Sequence, residues 1–492
     1  MDSAAGTSTM ESSDNLLVNQ PSKLYSTALN QPTKTTILSI TDGMCVAWSA
    51  PMVPYFISEQ SHIKMTQEQA EWIETCFLIG VVCAIPITAY VTNKLGRKKC
   101  LILASTVLMI CWIAIALVTK KEYIYAARVF TGMGINLGFV SVPIYIGEIA
   151  QKEIRGFLTS LMQIMVIIGI ILMYCIGPFT PFYVPPSVAA GLLMFKLLIF
   201  SFMPETPYLL FMKNKIPEAR MSLQKLRGKK DVEDELNEIR EAIENDMKDQ
   251  KGTFKEIFVV KRYRNALIIV LIFDFTKLCS CFEVVLMNIH QMLEKAGSVY
   301  IQPASVAIIF SVLLLISSLI SSVTIDKFGR KVLFSVSSVL TALCLLILGI
   351  FLNLHQKGYN VQAMNWIPAV SVMVYAVVFK LGMGTVPFVI LGEIFSTRIK
   401  GRGIAFCNGF HTFTAIGVLQ LYFLLRRAFG IYIHFYIFSF LTIIVTILIM
   451  FFVPETKGKS LEEIQQILRE NSFKKLVGNK KAVELSKLTG DL

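Results

Sequence analysis

Charge is scarce in this chain. Asp, Glu, Lys and Arg make up 16% of its 492 residues, against roughly 25% in ordinary soluble domains. With 54% hydrophobic residues, that deficit excludes an ordinary soluble domain. No Asn-x-Ser/Thr sequon occurs, so no N-glycan is expected. No phosphate loop or nucleophile–base arrangement appears, so an enzyme is not expected. The ten cysteines lie in or at the edges of apolar runs, with neither metal-ligand nor disulfide-framework spacing. No metal or other cofactor is expected. Residues 1–35 are polar and contain no short apolar region with a small-residue cleavage site. They predict a disordered cytosolic N-terminus and no removable signal peptide.

What the chain does have is apolar length. Twelve apolar segments of about 20 residues, enough to cross a hydrocarbon core, fall near 36–57, 72–92, 100–118, 123–147, 157–180, 182–203, 265–292, 304–325, 332–353, 366–392, 403–425 and 430–453. They divide six and six, as 36–203 and 265–453, around a hydrophilic link, 204–264. The predicted fold is an all-α membrane protein with twelve transmembrane helices in two six-helix halves. Within the link, Leu223, Leu226, Val232, Leu236, Ile239 and Ile243 lie among charges. That pattern predicts one or two amphipathic helices. Residues 454–492 predict a cytosolic tail.

Lys and Arg set the orientation. The links after spans two, eight and ten carry Lys94, Arg97, Lys98 and Lys99; Lys327, Arg330 and Lys331; and Arg398, Lys400 and Arg402. The odd-numbered links are poorer, with Arg426 and Arg427 after span eleven the exception. Both termini and the central link are therefore expected in the cytosol. The net charge of +13 is mostly this bias, so the expected partner is a lipid bilayer and not nucleic acid.

The halves repeat. KLGRKK at 94–99 matches DKFGRK at 326–331, PIYIGEIAQKEIRG at 143–156 matches PFVILGEIFSTRIKG at 387–401, and PETPYLL at 204–210 matches PETKGKS at 454–460. Gly96 and Gly329, Glu148 and Glu393, and Glu205 and Glu455 stand 233, 245 and 250 residues apart. Internal duplication around a central path is a recurring transporter plan.

These residues resemble the sugar porter family of the major facilitator superfamily, from about 36 to 460. The family's loop motif is matched by Lys94, Gly96, Arg97 and Lys98, with Ala89 and Asn93 in place of its leading Gly and its Asp, and its second copy by Asp326, Lys327, Gly329, Arg330 and Lys331. Arg128, Gly132, Gly134 and Gly138 match its span-four pattern, and Glu148 with Arg155 and Glu393 with Lys400 its acid–base pairs. The Pro-Glu-Thr-Pro-Tyr form is similar to that of insect facilitated trehalose transporter-like proteins. The resemblance implies the major facilitator fold. Arg97, Glu148, Arg155, Glu205, Asp326, Arg330, Glu393, Lys400 and Glu455 are then expected to form ion pairs that close the cytosolic gate.

It also implies where a sugar binds, and there the chain departs from the pattern. Gln163 stands where the family has a sugar-binding Gln. The family's QQ-x-S-G-x-N run falls on Lys277, Leu278, Cys279, Ser280, Cys281, Phe282 and Glu283. Its G-P-G-P-x-P-W becomes Gly382, Met383, Gly384, Thr385, Val386, Pro387 and Phe388, and its span-eleven Asn-Trp falls on His411-Thr412. The expected substrate contacts are Gln163, Ser280, Glu283, Phe388 and His411. Charges inside a bundle mark pathways. Asp274 is spaced to pair with Lys277, and Lys380 is expected to meet Glu283. Under a proton-coupled alternative, Asp42 and Arg128 are the proton site. The expected activity is facilitated diffusion of a hexose or trehalose by a monomer in the plasma membrane. Alternatives are another polar solute (polyol, amino sugar or organic cation), with or without proton coupling, and a non-transporting sensor.

Overall fold

The computed structural model describes residues 36, 39–150, 155–249, 255–295, 302–395, 399–455, 457, 463 and 468. The 1–35 segment and most of 454–492 lie outside the described residues. The chain begins α1 (Ile40–Ala47), α2 (Ser49–Ile57), α3 (Gln67–Leu95), α4 (Arg97–Ala116), α5 (Lys121–Ile149), α6 (Arg155–Ile176) and α7 (Val184–Phe202). Four short helices follow: α8 (Pro207–Met212), α9 (Ile216–Arg227), α10 (Glu233–Asp249) and α11 (Glu256–Val259). Then come α12 (Lys261–Cys279), α13 (Phe282–Lys295), α14 (Pro303–Phe328), α15 (Arg330–Gln356), α16 (Ile367–Leu381), α17 (Val386–Ile394), α18 (Lys400–Ala428) and α19 (Tyr432–Phe452).

Among the described residues, ten helical stretches are long and apolar enough to cross a membrane. Spans one and seven supply the other two, each broken into two helices: α1 with α2, and α12 with α13. The protein is an all-helical, multi-pass membrane protein. Side chains such as Phe130, Leu319 and Phe440 stay more than half exposed on its sides, as lipid-facing positions require.

The breaks have local causes. Pro51 and Pro54 in α2 lack the N–H that a continuous span one would use. Span seven turns at Cys281, whose φ of 62° lies in the left-handed region, unfavourable for a residue with a Cβ. Span ten breaks between Leu381 and Val386 without the family's first two prolines. Glycine does that work. A Cβ on Gly382 would stand 2.5 Å from the Leu333 carbonyl oxygen, and one on Gly384 2.8 Å from the Phe379 ring.

The first six spans pack chiefly as α3 and α4 on α5, α1 on α6 and α4 on α7. The last six pack as α15 on α16 and α19, α14 on α16, and α12 on α18 and α19. The two sets meet where α2 touches α13, α3 touches α18 and α6 touches α14. The amphipathic pattern of the link becomes α9 and α10, which bury Ala219, Leu223 and Leu236 together with Val232 just before α10. Arg227 of α9 bonds both Glu235 and the Ile149 carbonyl, fastening the link to the end of α5.

Candidate functional site

Spans seven, ten and eleven bring five polar or aromatic side chains to one wall. His411 Nδ1 lies 2.9 Å from Asp274 Oδ1, and its Nε2 lies 3.7 Å from Glu283 Oε1. Lys277 Nζ is 3.9 Å from that same Glu283 oxygen and 4.8 Å above the centre of the Phe388 ring. Three expected substrate contacts, Glu283, Phe388 and His411, are thus neighbours. The pairings differ from the sequence expectation. Asp274 takes His411 from α18, not Lys277 one turn along its own helix. Glu283 is approached by Lys277, and no ion pair joins it to Lys380 among the described residues. Partner choice across helices follows helix rotation, which i,i+3 spacing does not contain.

Ser280 does not line this wall. It is fully buried, its hydroxyl donates to the Lys277 carbonyl at 2.5 Å, and its own carbonyl accepts from Tyr375 Oη at 2.8 Å. It holds the helix break that aims Lys277 and Glu283. Gln163 lies on α6, half-buried, and its amide makes no hydrogen bond to a described residue.

At one end of the molecule the duplicated motifs build duplicated structures. Gly96, with φ 102°, ends α3, and Gly329, with φ 88°, ends α14. The glutamate of each Pro-Glu-Thr then caps the next helix. Glu205 accepts from the Lys98 N–H at 3.1 Å. Glu455 accepts from the Arg330 and Lys331 N–H groups at 3.0 Å each. A carboxylate there complements the helix N-terminus. Arg97 pairs with Glu148 and Arg330 with Glu393, each at 2.9 Å. These described pairs stay within one set of six spans. The side chains of Arg155, Asp326 and Lys400 lie outside the described residues. Gly329→Ala forces a Cβ to 2.9 Å from Glu455 Oε2 at a left-handed φ. It is expected to cost about 1–3 kcal/mol, read as a lower melting temperature in detergent.

The opposite end holds a cluster the sequence reading missed. Arg426 and Arg427 of α18 both bond the Glu71 carboxylate of α3, and Arg427 also reaches Glu68 at 2.9 Å. Arg426 donates to Gln291 Oε1 at 3.3 Å, Asn288 to Glu74 at 3.0 Å and Gln420 to Thr75 at 2.7 Å. Tyr174 Oη donates to the Leu286 carbonyl at 2.6 Å. The contacts with Glu71, Glu68, Glu74, Thr75 and Leu286 all cross between the two sets of spans. The one available signal was Arg426-Arg427 standing against the Lys/Arg bias.

Asp42 and Arg128 are not brought into an ion pair. Arg128, with no exposed surface, donates to the Cys45 carbonyl at 3.2 Å and lies 4.4 Å from the centre of the Phe77 ring. Glu74 is the carboxylate in its electrostatic range, while Asp42 has Lys196 as its charged neighbour. Both Asp42 oxygens are buried without a hydrogen-bond partner.

Two packed sets of six spans, broken helices at a polar wall and polar clusters at both ends define the class of membrane transporters. The chain belongs to the Sugar (and other) transporter family, whose model matches residues 3–468. It is 30% identical over 443 residues to the facilitated trehalose transporter Tret1 of Bombyx mori, covering 88% of this chain and 85% of that one. It is 29% identical over 438 residues to Tret1 of Apis mellifera ligustica, covering 88% and 86%. In fold it is similar to the inward-open xylose transporter XylE from E. coli, with a TM-score of 0.73, 21% identity, and 90% of this chain and 99% of that one covered. Relatives of this kind are transporters and not enzymes.

Proposed function

We propose that the protein moves a sugar, a hexose or trehalose, by alternating access and facilitated diffusion. It does so as a monomer in the plasma membrane, with both termini cytosolic. One observation carries the mechanism. The polar contacts between the two sets of spans, among the described residues, lie at the Glu71 end, while the described ion pairs at the Arg97 end stay within one set. A latch across the two sets at the Glu71 end is what one state of an alternating cycle requires. The Arg97 end carries the Lys and Arg bias, so it faces the cytosol. When the cycle reverses, the charges at that end exchange partners across the two sets and shut it. Names of relatives support sugar as the solute, and Phe388 with Gln163 supplies a ring platform and an amide for hydroxyl groups.

Purified protein in liposomes should take up labelled glucose or trehalose with saturation. If neither enters, the sugar assignment fails. Gln163→Ala should raise KM about tenfold and leave kcat within about twofold, the effect of losing one hydrogen bond of uniform strength. An unchanged KM would remove Gln163 from the substrate path.

A further inference from the structure

We propose that the wall of spans seven, ten and eleven recognises a sugar acid, a sugar ring bearing one carboxylate. The inference rests on the reading that this protein carries a sugar, and it shifts the preferred solute from a neutral sugar to its acid. It comes from comparing the two broken spans. At the span-seven break, Lys277 stands in the last turn of α12 and Glu283 in the first turn of α13. Each charge complements the helix end it occupies. At the span-ten break, Lys380 stands in the last turn of α16, but the first turn of α17 holds no acid. Nor does Thr385 cap α17 with its side chain, because its hydroxyl donates to the Lys380 carbonyl at 2.9 Å. One break therefore has a cation and an anion. The other has only the cation.

Neither remaining acid, Asp274 or Glu283, pairs with Lys380 among the described residues. Asp274 is held by His411 at 2.9 Å. Glu283 lies between Lys277 and His411, at 3.9 and 3.7 Å. Lys380 is partly buried, makes no ion pair among the described residues, and lies in electrostatic range of Lys277. The carbonyls ending α16 offset only about half a charge. An ionisable side chain within a span ordinarily has a partner, and here the solute supplies it.

Phe388 points the same way. Phe388 is 45% exposed, yet Lys277 lies 4.8 Å above the centre of its ring. The ammonium occupies the face on which a sugar ring would stack. Lys277 is held loosely, since 3.9 Å to Glu283 exceeds hydrogen-bond length. A neutral sugar must displace it from the ring without offering a charge in return. A carboxylate draws it away and binds it together with Lys380, freeing the Phe388 face for the attached ring.

The probe is D-glucuronate against D-glucose, with the full-length protein. In liposomes, glucuronate should inhibit uptake of labelled glucose or trehalose at about one-tenth the concentration that unlabelled glucose requires, as expected for a charge-assisted contact. Lys380→Gln should bring that ratio to about one, and Lys380→Arg should keep it. A potential positive inside should speed labelled glucuronate entry, because the solute carries charge. Equal inhibition by the two sugars, or the same ratio in wild type and Lys380→Gln, overturns the proposal and leaves Lys380 as a complement to the α16 end. If no sugar enters at all, the transport reading fails separately, and melting temperature decides the site. Stabilisation by glucuronate but not glucose, lost in Lys380→Gln, supports it. No such stabilisation overturns it.

Discussion

Glu71→Ala is expected to open the end of the protein that stands closed here. Glu71 and Arg426 side chains are 4% and 6% exposed, and they sit on helices from different sets of spans. Arg427, at 43% exposed, adds a second cation to the same carboxylate. Removing one partner of a buried pair costs about 3–5 kcal/mol, because the other charge is left uncompensated. That cost falls on the closed arrangement alone. Once the end opens, Arg426 meets water. The equilibrium between the two arrangements should therefore shift by about a hundredfold or more. Glu68→Ala should do far less, since its side chain is 69% exposed and exposed pairs contribute about 0–1 kcal/mol.

The readout is a cysteine replacing Asn288, which is 3% exposed in the closed arrangement. The exposed Cys83 and Cys175 would first be changed to Ser. An impermeant thiol reagent added from the Glu71 side should label position 288 far faster in Glu71→Ala than in the parent. Glu71→Arg with Arg426→Glu should recover part of the slow labelling. Rates within about twofold of each other would mean that apolar contacts between α2 and α13 hold the end shut without the ions.

Much of this architecture was legible in the sequence because lipid allows few alternatives. Backbone polar groups in hydrocarbon must bond within their own helix, so apolar length alone locates the spans. The duplicated motifs located the turns at Gly96 and Gly329. The site was less legible. Glu283, Phe388 and His411 were placed by resemblance and do converge, but Ser280 turned inward to serve the span-seven break. Asp274, Lys277 and Glu283 paired differently from the sequence expectation, and Lys380 makes no ion pair among the described residues. Pairing across helices depends on rotation and depth, which a linear pattern does not carry. The latch was harder still. Glu71 looks like an ordinary polar residue near the start of α3, and only its meeting with α18 gives it a role.

The glycines of the first six spans show what rotation and depth demand. A Cβ on Gly132 of α5 would stand 2.0 Å from the Phe77 carbonyl oxygen of α3, and one on Gly80 of α3 2.0 Å from that of Val129. The arrangement repeats between α1 and α6: Gly43 faces the Val166 carbonyl and Gly169 that of Ile40, each at 1.9 Å. These contacts are with backbone, so no side-chain rotation relieves them. Small residues let helices approach closely where lipid gives no hydrophobic drive to association. Gly132→Val must force α3 and α5 apart along their length, and overpacking costs about 1–3 kcal/mol or more. Because α3 also carries Glu71 and α5 also carries Arg128, that displacement reaches the latch and the polar core together. Gly132→Val is expected to abolish monodisperse protein, and Gly43→Val to do the same. Gly191→Val in α7 is the control, since a Cβ there meets nothing within 4 Å. A Gly132→Val protein melting within about 2 °C of that control would show that α3 and α5 re-space at little cost. The close approach would then be a consequence of the packing and not a requirement for it.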